Sequence, residues 1–140
     1  FGSTAGRVAC RGLLPALRDL FCDSTLGAMR RLAFMTTLSI DNVSVNTQAN
    51  VYFDGKCVSH SLTLADGRKC SVGVILPATL TFGTAAAEVM EGVSGACEYR
   101  LAGTEEWVRS GAGEKFNVPA NSKFDIRVSG EPYSYICHYA

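Results

Sequence analysis

Gly113-Glu114-Lys115-Phe116-Asn117-Val118-Pro119-Ala120-Asn121-Ser122-Lys123-Phe124-Asp125-Ile126-Arg127-Val128 decides the fold class. Phe116 and Val118 alternate with polar residues before a Pro-Ala-Asn-Ser bend, and Phe124, Ile126 and Val128 do so after it. Successive side chains of a strand point to opposite faces, so this alternation describes two strands, each with one buried and one wet face. Proline presets φ for the bend and Asn121 suits it. The stretch is expected to be a hairpin-like corner in the core of an antiparallel barrel or sandwich.

Strand patterns of the same grain continue outward from it. Upstream, Val51 to Phe53 is followed by an Asp54-Gly55 turn. Val58, His60, Leu62 and Leu64 then form the apolar set against Ser59, Ser61 and Thr63, and Asp66-Gly67 makes another turn. Cys70 to Leu76, Thr79 to Thr84, Glu88 to Val93, Ala96 to Leu101 and Glu106 to Val108 complete the upstream series, with a short edge strand expected near Val43 and Val45. Downstream, Tyr133, Tyr135, Cys137 and Tyr139 share one face of a closing strand. Roughly nine or ten short strands separated by turn signals mark an all-β sandwich or barrel.

Composition bounds the function. At 140 residues the chain is one domain with room for an appendage, and 47% hydrophobic residues suffice for a core. Lysine plus arginine equals aspartate plus glutamate at 13 each, which argues against nucleic acid, whose binders carry a basic face. No apolar run approaches the roughly 18 residues that cross a bilayer. Six cysteines (10, 22, 57, 70, 97 and 137) lack metal-site spacing and read as small buried hydrophobes in a reducing compartment. A cytoplasmic location is the expectation.

Residues 1–34 stand apart. They hold five arginines against two aspartates and no lysine or glutamate, and Leu13, Leu14, Leu17, Leu20 and Phe21 keep helical spacing. Such an extension is either transit-like, which implies an organelle, or non-native sequence ahead of a start at Met35. Residues 35–48 form a polar arm, and 49–140 hold the strand-rich domain.

The spacing Glu88-x6-Gly95, followed by Gly113-x5-Pro119, resembles the two motifs of the cupin superfamily, His-x-His-x3-Glu-x6-Gly and Gly-x5-Pro-x-Gly-x2-His. Carried over, the metal-ligand positions fall on Phe82, Thr84, Glu88 and Phe124. All three histidines are missing, and one carboxylate cannot hold a transition ion, so no metal is expected. From about Ala49 to Ala140 the chain also resembles the small single-cupin pyrimidine/purine nucleoside phosphorylases. Tyr52-Phe53-x-Gly55-Lys56, Ser71-Val72-Gly73-Val74, Thr81-Phe82-x-Thr84 with Glu88, Trp107, Phe116-x-Val118-Pro119 and Tyr135-x-Cys137-x-Tyr139 carry that likeness. It departs at Ala78, where that family usually has glycine, and in residues 1–34. The resemblance implies an all-β, single-domain cupin jelly-roll barrel that forms a homodimer. It implies metal-free phosphorolysis of many nucleosides to free base and (deoxy)ribose 1-phosphate, with phosphate as co-substrate and no cofactor.

Phosphorolysis needs a held anion, stabilisation of an oxocarbenium-like centre, and a grip on the base that does not read its edge. Glu88 and Thr84 are the catalytic candidates. Phe82, Phe124 and Tyr135 are the substrate-binding candidates, with Lys56 and Arg68 as phosphate holders. Plainer roles stand beside these: core packing for both phenylalanines, an edge position for Glu88, solvated surface charges for Lys56 and Arg68, and structural roles for His60 and His138. A non-enzymatic, metal-free cupin that binds a small sugar or nucleoside is the alternative.

Overall fold

The computed structural model describes residues 38–140. The expected helical extension at 1–34 and the first residues of the polar arm lie outside the described residues. Eleven strands follow: β1 (Ser44–Val45), β2 (Asn50–Tyr52), β3 (Cys57–Thr63), β4 (Lys69–Ile75), β5 (Ala78–Thr84), β6 (Glu88–Ser94), β7 (Ala96–Leu101), β8 (Val108–Gly111), β9 (Lys115–Val118), β10 (Ser122–Val128) and β11 (Tyr133–Tyr139). A 3-10 turn at Phe53–Gly55 separates β2 from β3. The larger antiparallel sheet runs β1-β3-β4-β11-β6-β9, with β2 also pairing β3, and the smaller runs β5-β10-β7-β8. The expected edge strand near Val43 is β1, and the strand expected at Glu106 begins later, at Val108.

The corner at Pro119 is not a hairpin. β9 pairs with β6 in the larger sheet, whereas β10 lies between β5 and β7 in the smaller one. Alternation specifies which face of a strand is buried and is silent on its partner. Here the bend, with Asn121 at φ 50°, carries the chain from one sheet to the other. Both inner faces meet in one core built from Ile75, Met90, Phe116, Val118, Phe124 and Ile126, all 3% exposed or less.

β3 reverses the expected faces. Cys57 and Ser59 are buried inward, and Val58, His60 and Leu62 lie on the outer side of the larger sheet. The outer side holds its own apolar cluster, with Leu62, Cys70 and Ile136 packed by Ile40, Leu64, Val72 and Val93. A sheet apolar on both sides leaves only a weak period-2 signal, so serines marked the inner face. His60 Nδ1 sits 3.0 Å from the carbonyl of Asn46 and helps tie the arm to this outer side.

The outer face of the smaller sheet is polar. Arg100 pairs with Asp125 at 2.6 Å and Arg127 with Glu98 at 2.7 Å, both guanidinium groups lying over the Trp107 ring. Exposed pairs of this kind contribute about 0–1 kcal/mol each. They fix cross-strand register and leave the inner face free for the site.

Candidate functional site

Register places the site. On β11, Tyr139 is opposite Glu88 of β6, and Cys137 is opposite Met90 on one side and Ser71 on the other. Ser71 in turn faces Ser61 across the β3–β4 pair. Side chains paired this way share a face, so Glu88, Tyr139, Cys137, Ser71 and Tyr135 all point toward the smaller sheet. Across from them, Phe82 of β5 is directly opposite Phe124 of β10. The two rings stack at 5.6 Å with an interplanar angle of 21°. Phe53 and Tyr52 meet the Phe82 ring edge-on at 5.1 and 6.3 Å.

Between these walls lies a cavity of about 140 Å³. One wall is lined by Glu88 and by the hydroxyls of Ser59, Ser71, Tyr135 and Tyr139; the other is lined by Phe82, Phe124 and Tyr52. A cavity of about 150 Å³ holds one benzene ring, so this one has room for a single planar ring. Gly73 makes part of that space. A Cβ there would lie 2.7 Å from the Tyr135 hydroxyl, so only glycine lets the Tyr135 ring cross the β4 backbone.

The electrostatics are those of a half-buried acid among neutral donors. Burial raises the Glu88 carboxyl above its ordinary value, and the Cys137 thiol, donating at 3.5 Å, pulls it back down. Burial and the neighbouring carboxylate push the Cys137 thiol up to about 12, so it stays protonated and remains a donor. Burial likewise pushes Tyr139 up to about 12, and its hydroxyl is 2.9 Å from Ser71 Oγ. The Tyr135 hydroxyl, also raised by burial, is 3.5 Å from Cys57 Sγ. Among the described residues that line the cavity there is no lysine, arginine or histidine.

Four of the seven candidates from sequence, Glu88, Phe82, Phe124 and Tyr135, line this one cavity. The other three do not. Thr84 is buried, and its hydroxyl donates to the Pro119 carbonyl at 2.7 Å and accepts the Ser122 N–H at 3.3 Å. It clasps the sheet-crossing corner. Arg68 is exposed at the β3–β4 turn and pairs with Asp66 at 2.7 Å. Lys56 is exposed at the end of the 3-10 turn, its backbone tied to Phe53 and Leu76. Sequence reasoning missed Ser59, Ser71, Tyr52 and Tyr139 as lining residues. Tyr139 was signalled by the shared face of Tyr133, Tyr135 and Cys137; Ser59 was masked by the reversed reading of β3. Among the described residues no three histidine, cysteine, aspartate or glutamate side chains gather as a metal cage would require.

A family model described as pyrimidine/purine nucleoside phosphorylase matches residues 47–139. A relative of that name from Polaromonas naphthalenivorans is 72% identical over 108 residues, which is 76% of this chain and all of that protein. Another from Ralstonia pickettii is 73% identical over 106 residues, again the whole of that protein. A solved structure from Acinetobacter sp. ADP1, of a protein of unknown function, aligns with a TM-score of 0.71 at 42% identity and covers 73% of this chain and 98% of that one. The chain belongs to the pyrimidine/purine nucleoside phosphorylase family.

Proposed function

We propose that this chain is a pentosyltransferase that cleaves purine and pyrimidine nucleosides with inorganic phosphate, releasing free base and (deoxy)ribose 1-phosphate. The observation that carries the reading is the two-walled cavity, in which a carboxylate and four hydroxyls face a pair of stacked phenylalanines across the width of one ring. An aromatic face grips any base, because every base has a π-face, and this supports broad specificity. The hydroxyl wall suits a pentose. Glu88 lies where its charge opposes the positive charge that develops at the anomeric carbon as the carbon–nitrogen bond breaks. A phosphate oxygen supplies the new bond to that carbon; the electron pair of the broken bond goes to the base nitrogen, which takes a proton from solvent. Thr84 enters only by holding the corner that leads into Phe124.

Metal independence is part of the proposal. Phe82, Thr84 and Phe124 occupy the positions at which cupins carry histidine ligands, and Glu88 is left as the one donor among them. The strand order supports the cupin jelly-roll assignment, because β4-β11-β6-β9 packs against β5-β10-β7-β8, a double-sheet arrangement of eight antiparallel strands. A homodimer is supported by the apolar outer side of the larger sheet, beside which Leu38 and Val45 remain about half exposed. No described helix is long and apolar enough to cross a membrane. The free, buried thiols of Cys57, Cys70, Cys97 and Cys137 fit a reducing compartment such as the cytoplasm.

One observation favours a second reading, a binder of sugars or nucleosides without catalysis: among the described residues no cation lines the cavity to hold phosphate. The experiment that separates the two is incubation of the purified, chelator-treated chain with uridine and with adenosine, with and without phosphate. Release of both bases only when phosphate is present supports the enzyme. Binding of either nucleoside without phosphate-dependent release makes the chain a binder.

A further inference from the structure

We propose that Lys69, with the hydroxyls of Thr63 and Tyr139, forms the subsite for inorganic phosphate, at the rim of the ring cavity and outside it. The proposal rests on the phosphorylase reading above. An anion must stand near the anomeric carbon, yet among the described residues the cavity is lined by an acid and by no cation. A described cation that serves the anion therefore stands at the rim. Several of the described cations are already engaged elsewhere: Arg68 with Asp66, Lys115 with Glu91, and Arg100 and Arg127 with acids on the outer face of the smaller sheet.

Lys69 is placed differently. It is opposite Thr63, which lies two-residue steps along β3 from Ser61 and Ser59 and therefore on the inner face. Its side chain follows that face, the ammonium donating to Thr63 Oγ1 at 2.8 Å. No ion pair holds it among the described residues. Cys70 is opposite His138, so the next step of the same register sets Lys69 beside Tyr139, and Tyr139 is opposite Glu88. One row across four strands thus reads Thr63, Lys69, Tyr139, Glu88. Neighbouring strands lie about 4.8 Å apart, so the cation and the carboxylate stand on backbones roughly 10 Å apart with a phenol between them.

A groove of about 380 Å³ opens on this row. Ser61, Thr63 and Lys69 line it together with Leu62 and Cys70 from the outer side of the sheet, and it shares Tyr139 with the ring cavity. The hydrogen bonds are compatible with hydroxyl protons left for an anion. Thr63 Oγ1 accepts from Lys69, so its own proton is available to an anion. Ser71 can donate to the Tyr139 oxygen, which leaves the phenolic proton to turn to the Cys137 sulfur or to an anion. An ammonium and two hydroxyl donors around one groove match the oxygens of a phosphate. Tyr139 stands between that phosphate and Glu88, which keeps the two negative groups from direct contact.

The test uses the full chain. Phosphorolysis of uridine is followed with phosphate varied at saturating uridine, and then the reverse, for the parent, Lys69→Gln, Lys69→Arg, Lys56→Gln, Arg68→Gln and Lys123→Gln. Loss of one charge-assisted contact predicts a phosphate KM raised about tenfold or more in Lys69→Gln, with the uridine KM within about twofold of the parent. Lys69→Arg recovers most of the affinity, and Lys123→Gln behaves as the parent. A phosphate KM that rises in Arg68→Gln or Lys56→Gln and stays at the parent value in Lys69→Gln overturns the assignment. Calorimetric titration with inorganic phosphate alone gives a readout that does not depend on turnover. Phosphate that binds the parent and not Lys69→Gln supports the subsite even if no nucleoside is cleaved, in which case the phosphorylase reading is what fails. Phosphate that binds both proteins equally, or neither, overturns the subsite.

Discussion

Replacing Glu88 by glutamine removes one charge from the cavity and little else. The side chain is half-buried on the inner face, and its one side-chain hydrogen bond is from a neutral thiol, which glutamine can still accept. Among the described residues no cation lines the cavity to consume its field. At an effective dielectric of about 20, two unit charges about 4 Å apart interact by about 4 kcal/mol. An oxocarbenium-like centre carries part of a unit charge, so about two-thirds of that, ~2.7 kcal/mol, is the working figure. It corresponds to about a hundredfold in rate, the size seen when one such electrostatic contact is lost. Because the interaction exists only in the transition state, kcat and kcat/KM fall together for Glu88→Gln. Glu91→Gln is the control. Glu91 is on the outer side of the same strand, bound to His138 at 2.9 Å and Lys115 at 3.1 Å, and its variant turns over within about twofold of the parent. Steady-state uridine phosphorolysis by both folded proteins decides it. Parent-like kcat in Glu88→Gln refutes a catalytic role for this carboxylate.

The same carboxyl makes stability depend on pH. Its folded value is raised above the ordinary 4.5, so the native state binds the proton more tightly than the unfolded chain and loses stability as pH rises from about 4.5 through the folded value. Melting temperatures of parent and Glu88→Gln should therefore converge at acid pH, and the variant should become the more stable as pH rises; a difference that is flat or of opposite sign contradicts the burial argument. Phe82→Leu keeps an apolar side chain and removes the π-face, so the KM values for uridine and adenosine should both rise about tenfold; a rise for one nucleoside only would mean edge recognition. Gly73→Ala forces a Cβ against Tyr135 and the Val58 carbonyl. It should cost about 1–3 kcal/mol, read as a fall of several degrees in Tm, and an unchanged Tm would show that the Tyr135 ring is free to move.

Period-2 alternation at Phe116 to Val128 was enough to announce antiparallel strands and their inner faces, because those faces are apolar and their backs are wet; at Tyr133 to Tyr139 the inner face was legible from its tyrosines although Ile136 is buried on the back. It failed at β3, where the outer side is covered by Ile40, Leu64, Val72 and Val93 and the cavity side is built of serine. A site that must hydrogen-bond its ligand inverts the pattern by which a core is recognised. Glu88, Phe82 and Phe124 were legible because the spacing of the sequence resembles that of the cupin motifs at their ligand positions. Thr84 shares that spacing, yet its hydroxyl is taken by the Pro119 corner, a contact 35 residues away. Lys56 and Arg68 were chosen for lying beside turns, which says nothing of the face they point to. Lys69 stands one residue from Arg68, and only the pairing of Lys69 with Thr63 distinguishes it.

The most direct measurement follows the phosphate itself. Phosphorus NMR of the chelator-treated chain with uridine and inorganic phosphate should show phosphate converted to a sugar phosphate monoester, one for each uracil released. Uracil appearing with free ribose and unchanged phosphate, or no uracil at all, contradicts the account.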